Sequence, residues 1–469
     1  MSAIRVGVGE VDFTPPLGLP IMGHLRDDYA AKEVHDPRRA RALVVANAAG
    51  ARIALCFALV LPGVCFAAAT EQAPEASSSL RLLSRSLTPN APGYYNAVYV
   101  QQTGACLRAG DKVSTNNGRT WQTEPMQPDF ASGLSHGYRR DPVTSVLDPF
   151  TGRLITILNA MDTPSLDPSI HEPPVAQQTY YLRYRVSANS GKSWRFDEPI
   201  VQAGDFTAQH PCEGVWVGKN AMYLGDLGCI PIVTRAGRVL LPTQTTPLGS
   251  DGKLWNLSGG HTYTDVLVLV GAWTNGQRLT WRASHRVEGD PKRTTRGLIE
   301  PTLAEFPDGR ILMVMRGSNG GKADPRCELP SYKWFAVSQD GGETWSTPGP
   351  WIFEDGQTFF SPSSMSALFR HSSGRCFWAG NLSEHNCQGN LPRWPLVVGE
   401  VDMRSLKLVH SSVLTVDTQQ PEDKTRGRLD LSHLTLLEDR ENKQIILAYP
   451  RSYNAYKSNE WATVRLALK

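Results

Sequence analysis

SQDGGETW, residues 338–345, places a serine, an aspartate, two glycines, a threonine and a tryptophan within eight positions. STNNGRTW at 114–121 and SANSGKSW at 187–194 repeat the pattern, with Ser first, Asp or Asn third, Gly fifth and Trp eighth. Each position has a physical use. An Asp or Asn side chain bonds neighbouring backbone N–H groups, and Gly takes a positive φ without steric cost. Trp supplies a large apolar surface for a neighbouring element. A decayed copy, TNGQRLTW at 274–281, keeps Thr280 and Trp281. Such an octet is a tight turn that recurs, so the chain is built from repeated units.

A second pattern sets the period. Strand-like segments opening on Gly-Arg recur as TGRLITIL from 151, AGRVLLPT from 236, DGRILMVMR from 308 and SGRCFWAG from 373, followed by a weaker ENKQIILAY from 441. With Gly152, Gly237, Gly309, Gly374 and Asn442 as markers the intervals are 85, 72, 65 and 68 residues. TGACL from 103 and VGEVD at 398–402 complete the count, and six units fit residues 80–469. Units of several short β-segments that cannot bury their own faces predict an all-β fold, a six-bladed β-propeller. The Gly-Arg segment is expected to form an inner strand of each blade and the octet the turn of its outer hairpin.

Composition narrows the function classes. The chain has 469 residues, 41% hydrophobic content, and 48 basic against 45 acidic residues for a net charge of +3. There is enough apolar content for a full core and no basic stripe, so nucleic acid is not an expected partner. The 41 Gly and 33 Pro favour turns over helices. Eight cysteines show no CxxC pairing, so no metal or other cofactor is expected. Cys212 with Cys229, or Cys376 with Cys387, are disulfide candidates in an oxidising compartment and buried thiols otherwise.

The octet resembles the Asp-box, or BNR repeat, and over about 390 residues the chain resembles the sialidase-like six-bladed propellers. That resemblance implies a glycan or glycoconjugate substrate, bound at the propeller mouth away from the octets. It also implies an arginine cluster that grips a carboxylate, a Tyr nucleophile activated by a Glu, and an Asp acid/base. RGLIEPTLAEFPDGRILMVMR (296–316) is similar to the segment carrying the Glu and second Arg, which maps these roles onto Glu300 and Arg316. LPRWPLVVGEVD (391–402) similarly points to Arg393. Guanidinium groups match a carboxylate in geometry and charge. The pattern is incomplete: the last-blade segment GRLDLSHLTLLED (427–439) reads Leu431 where the Tyr is sought, and only ten residues separate Gly104 from Ser114, too few for an acid/base loop.

Further polar candidates come from loops, which carry function more often than cores do. GYRRDPVTSVLDP (137–149) offers Arg140 for substrate binding and Asp141 for catalysis, though Asp141 before Pro142 is also an ordinary turn residue. GGHTYTD (259–265) offers His261 as acid or base and Asp265 for substrate binding. SPSS (361–364) and GNLSEHNCQGN (380–390) read as rim loops. The expected activity is hydrolysis of a terminal, acidic or otherwise polar sugar. The alternatives are a non-catalytic sugar-binding propeller and a degenerate ceramidase-related protein.

That last alternative rests on residues 5–60, where VDFTPPLGLPIMGH and VHDPRRARALVV resemble the opening segment of neutral ceramidases. The zinc-binding histidines and catalytic serine of such an enzyme have no counterpart further along. RIALCFALVLPGVCFAAAT, residues 52–70, has the Arg, apolar run and Ala-rich end of a secretory signal, and equally the pattern of a buried strand; Pro62 interrupts it as a membrane span. The expected organisation is a ceramidase-like fragment at 1–69, containing the signal-like run 52–69, then the propeller at 80–469. The expected location is secreted or periplasmic, with a mature chain starting near Thr70.

Overall fold

The computed structural model describes residues 78–167, 176–256 and 263–469, together with the backbone of three strands nearer the N-terminus. The chain divides into two units, Met1–Glu75 and Ala76–Lys469. In the first, Arg5–Asp12, Arg39–Ala46 and Arg52–Leu59 form a three-stranded antiparallel sheet. Part of the signal-like run is therefore a strand, and residues 60–69 lie outside the described residues.

The second unit is the six-bladed propeller. Its blades, each an antiparallel sheet with four main strands, run in chain order. The first holds Val98–Tyr99, Leu107–Ala109, Lys112–Ser114 and Gln122–Thr123, and the second Tyr138–Leu147, Leu154–Asp162, Tyr181–Ser187 and Asp197–Pro199. The third has a broken innermost strand, Met222–Tyr223 and Ile232–Val233, then Val239–Thr245, Asp265–Thr274 and Arg278–Ala283. The fourth is Ile299–Glu305, Ile311–Arg316, Lys333–Ser338 and Gly349–Pro350, and the fifth Ala367–Arg370, Cys376–Asn381, Leu396–Val401 and Leu414–Asp417. The sixth again breaks its innermost strand, Leu429–Leu431 and Thr435–Asp439, and continues through Gln444–Tyr453 and Ser458–Leu468. Its outermost strand is Leu80–Thr88, from the other end of the unit, paired with Ser458–Leu468. That pairing closes the ring.

Blades fold this way because both faces of each sheet are apolar. Leu154–Asp162 is buried along nearly its whole length rather than alternately, as expected of a sheet covered on both sides. The core accordingly divides into clusters that each join two neighbouring blades. Tyr184 and Met222 share the one between the second and third, Leu240 and Met313 that between the third and fourth, and Phe377 and Leu447 that between the fifth and sixth. Each fully buried aliphatic side chain contributes about 1.5–3 kcal/mol.

The octets are the turns between third and fourth strands, as their spacing predicts. Ser338 Oγ accepts from the backbone N–H of Gly342 at 2.9 Å, and Asp340 Oδ1 from that of Thr344 at 3.0 Å. Ser187 and Asn189 make the equivalent bonds to Gly191 and Ser193 at 2.9 and 3.0 Å, and Ser114 and Asn116 those to Gly118 and Thr120 at 2.8 and 2.9 Å. Burial works to raise the Asp340 carboxyl, but the hydroxyl and backbone donors of its own octet outweigh it and hold it down at about 2. Gly342 has a second reason to be glycine: besides its φ of +94°, a Cβ there would lie 3.1 Å from Leu240 of the preceding blade. Trp194 and Trp281 pack on the blade before their own. In the decayed copy Asn275 and Gly276, both at positive φ, make a shorter turn that needs no third-position acceptor.

The Gly-Arg segments form inner strands as expected, each the second of its blade, while the preceding strand lines the axis. Of the two alternatives for the cysteines, the structure has the buried thiols. Cys212, Cys229, Cys376 and Cys387 are all free thiols and all buried.

Between the last two blades, Arg451 Nη1 donates to Asp417 at 2.5 Å and its Nη2 to Asp423 at 2.6 Å. The hydroxyls of Tyr449 and Tyr453 donate to the same two carboxylates, and Arg85 of the closing strand lies 3.2 Å from Asp417. Asp417→Asn leaves a buried guanidinium short of its partner, so it should cost about 3–5 kcal/mol. A marked fall in melting temperature, well beyond that of an exposed substitution such as Asp308→Asn, is the expected result.

Candidate functional site

Strand order decides which residues meet. In each blade the turns between first and second and between third and fourth strands lie at one end, which carries the octets. Starts of first strands, ends of second strands and starts of third strands lie at the other. Glu300 begins the first strand of the fourth blade and Arg316 ends the second, while Arg393 stands just before the third strand of the fifth. All three reach the end opposite the octets.

They are in direct or indirect contact. Arg316 Nη1 donates to Glu300 Oε1 at 2.5 Å, its Nε to Ser363 Oγ at 2.7 Å, and its Nη2 to Asn390 Oδ1 at 3.2 Å. Arg393 Nη2 donates to the backbone carbonyl of Ser363 at 3.0 Å, and its Nη1 reaches the Tyr456 hydroxyl at 2.5 Å. Ser363 and Asn390 belong to the segments read as rim loops, and here they hold the arginines. Glu300, Arg316 and Arg393 are all buried, at 5%, 7% and 6% exposure.

Glu300 is held in an uncommon conformation. Its φ is +51°, and the pairing of its strand shifts register between Ile299 and Thr302. A residue before proline normally takes extended backbone. A left-handed one there is strained and persists only where its surroundings over-determine it. Gln244 Oε1 accepts from the Glu300 N–H at 2.9 Å, and a Cβ on Gly225 would lie 2.2 Å from that Oε1 and 3.0 Å from Glu300 Cγ. The second carboxylate oxygen, Oε2, is buried without a hydrogen-bond partner among the described residues, as is Arg393 Nε.

Several members of the cluster escape sequence reasoning. Arg296, in the quoted segment itself, lies close enough to Arg316, Glu300 and Arg393 that burial, with Arg316 next, lowers its pKa to about 10. Tyr456, in the turn between the second and third strands of the sixth blade, brings a phenol to Arg393, whereas Leu431, the position to which the resemblance points, is a core residue. Burial raises the pKa of Tyr456. Lys333 is wholly buried beneath the arginines, with its Nζ donating to the backbone carbonyl of Ser364. His433 and Asp226 form an ion pair at 3.1 Å, and Arg393 and Glu300 act electrostatically on the imidazole. Only the partner residues across the ring reveal these roles, and no local motif marks them.

The remaining candidates are placed elsewhere. Arg140 is engaged by Asp162 at 2.7 Å and lies over the Tyr181 ring, while Asp141 is exposed on the second blade. Asp265 begins the third strand of the third blade, 3.9 Å from Arg286, and lines a separate cavity of about 610 Å³ with Trp255, Tyr263 and Glu288. Burial raises its pKa to about 7. Among the described residues no hydrogen bond or ion pair joins Arg140, Asp141 or Asp265 to the Glu300 cluster, and His261 lies outside the described residues. The sequence grouped them by residue type, but their side chains are committed locally. A cavity of about 790 Å³ is likewise not at the arginines. It is the axial channel toward the octet end, lined by Val98, Val146, Ile232, Leu303, Phe369 and Leu436, one from each blade. No group of His, Cys, Asp or Glu suited to a metal ion occurs among the described residues. No described helix is long and apolar enough to cross a membrane.

The cluster is rich in cations. Arg316 pairs with Glu300, Arg296 and Arg393 lie near it, and Lys333 adds a fourth basic group whose pKa burial, then Arg316, lowers to about 7. Lys333 binds fewer protons folded than unfolded between about 7 and the ordinary 10.5, so stability rises with pH across that window. Lys333→Met should flatten the rise, with its gain in melting temperature over the parent larger at pH 7 than at pH 10. An unchanged slope between those pH values would show that Lys333 stays charged in the native state.

Residues 168–454 match the family model described as a BNR repeat-like domain. No curated protein matches the chain. Among solved structures, a protein of unknown function from Dyadobacter fermentans is 14% identical with a TM-score of 0.52, over 83% of this chain and all of that one. A sialidase from Streptococcus pneumoniae is 12% identical with a TM-score of 0.47, over 92% and 84% of the two chains. An α-L-arabinofuranosidase from Fusarium graminearum is 12% identical with a TM-score of 0.41, over 76% and 84%. At these identities the likeness is one of fold. The family-model match covers more than half of the chain, whose six closed blades carry octet turns at one end and an arginine cluster at the other: the chain belongs to the BNR repeat-like family.

Proposed function

We propose that the chain is a glycoside hydrolase that removes a terminal acidic sugar from glycans at the end of the propeller opposite the octets. The observation that carries this is the convergence of Arg296, Arg316 and Arg393 near Glu300, whose Oε2 is buried without a hydrogen-bond partner among the described residues. Clustered guanidinium groups suit an anion, and a sugar carboxylate matches their paired donors. Arg316 and Arg393 hold the substrate, and Glu300 acts as base or nucleophile activator. Tyr456, on Arg393, brings a phenol to the same place. Cleavage also needs a proton donor and stabilisation of an oxocarbenium-like centre.

One observation favours binding without turnover. The second and third strands of the first blade are joined directly between Ala109 and Lys112, leaving no loop there for an acid/base. Secretion, suggested by the apolar run at 52–69, belongs to the same proposal and is checked by where a C-terminally tagged full chain accumulates.

A panel of aryl glycosides of sialic acid, uronic acids and neutral hexoses, assayed with the full chain and with Glu300→Gln, separates these functions. Turnover of an acidic member is expected, with a loss of about 10²–10⁴-fold in Glu300→Gln. Arg316→Lys should raise KM by roughly tenfold or more, the value of a charge-assisted hydrogen bond. Tight binding of an acidic sugar with no turnover in the folded wild type would assign the binding propeller instead. Preference for a neutral hexose would remove the role given to the arginines.

A further inference from the structure

Two residues of opposite blades meet on the propeller axis. The innermost strands of the third and sixth blades are the two broken ones, and Asp226 and His433 sit in the breaks. The third and sixth blades face each other in a ring of six, so the 3.1 Å contact between His433 Nε2 and Asp226 Oδ2 spans the axis. It does so below the arginine cluster and above the axial channel. His433 has a φ of +56°, a left-handed conformation that takes it out of the pleat of its strand. Asp226 is fixed in turn, with Oδ1 accepting from the Leu227 N–H at 2.6 Å.

The imidazole is oriented but not used up. One ring nitrogen is committed to Asp226, while Nδ1 has no hydrogen-bond partner among the described residues and the side chain keeps 30% of its surface exposed. The Tyr456 ring meets it edge-on at 5.2 Å, and the hydroxyl of that tyrosine is on Arg393. A carboxylate on one nitrogen with the other left open is the arrangement that fixes a tautomer and presents a transferable proton.

We propose that His433, oriented by Asp226, is the proton donor to the leaving group, which supplies the acid that the short first blade does not; the inference rests on the hydrolase function proposed above. The imidazolium gives its Nδ1 proton to the glycosidic oxygen as the bond from that oxygen to the anomeric carbon breaks. The bonding electron pair stays on oxygen and the aglycone leaves as an alcohol. Water then adds at the anomeric carbon and returns a proton to Nδ1, so one water is consumed and the imidazolium is restored. The groups facing His433 are Asp226, Arg393, Glu300 and Tyr456, and Asp226 in turn faces Arg316 and Tyr95. Burial works to lower the imidazole pKa, but the Asp226 bond and charge outweigh it, so the value is raised and the acid form persists to higher pH. An acid is required protonated, so activity should fall as pH rises through that value.

The test compares wild type, His433→Asn and Asp226→Asn, all as full chains, on two glycosides of one acidic sugar, a dinitrophenyl and an alkyl glycoside. Dinitrophenolate leaves without protonation and an alkoxide does not. For His433→Asn the expected loss in kcat/KM is about 10²–10⁴-fold on the alkyl glycoside and under about tenfold on the dinitrophenyl one. Its alkaline limb should vanish, and that of Asp226→Asn should move to lower pH. Asp226→Asn preserves side-chain volume and gives the same readout if His433→Asn fails to fold. Equal losses on both substrates with the alkaline limb unchanged would overturn the proposal and leave the pair as a structural tie across the axis. A folded wild type silent on both glycosides would overturn the hydrolase function and this inference with it.

Discussion

A four-stranded sheet with two apolar faces must be covered on both sides, and in this chain the cover for each is the next one. Everything else depends on that requirement. It admits no end blade, so Leu80–Thr88 must return to pair with Ser458–Leu468 and close the ring. Closure is where polar chemistry enters the core: Arg85, Arg451, Asp417 and Asp423 join the closing strand and the last two blades through charges that are satisfied only when all are present. Such a network is a poor source of net stability and a strong constraint on which strand closes the ring.

The same requirement produces the site. Six innermost strands converge on the axis, and the third and sixth are interrupted at Asp226 and His433. Strand ends that are far apart in sequence become neighbours, so Arg296, Arg316, Arg393 and Tyr456 from three blades share one small volume. Charges of one sign held so closely are costly unless something compensates them. Glu300 compensates in part, through Arg316, and its unusual backbone is the local cost of being there.

The repeat was legible in the sequence because its signals are local. Ser, Asp or Asn, Gly and Trp within eight residues specify a turn by chemistry that acts over those residues alone, and the octets at 114, 187 and 338 make the same bonds. Glu300, Arg316 and Arg393 were legible through a resemblance in motif, which carries order along the chain but not distance. Tyr456, Arg296, Lys333 and the Asp226–His433 pair were not, since each acquires its meaning from a partner on another strand or blade. Asp265 and Arg140 show the reverse: charged residues near strand starts with a local ion-pair partner read the same in sequence as residues left open for a substrate.

The most direct test of the central claim is a crystal structure of the chain with a bound sialic or uronic acid. The account predicts the sugar carboxylate between the guanidinium groups of Arg316 and Arg393, with the anomeric carbon facing Glu300 and His433. A sugar bound in the axial channel at the octet end, or beside Asp265 with the arginines untouched, would contradict it.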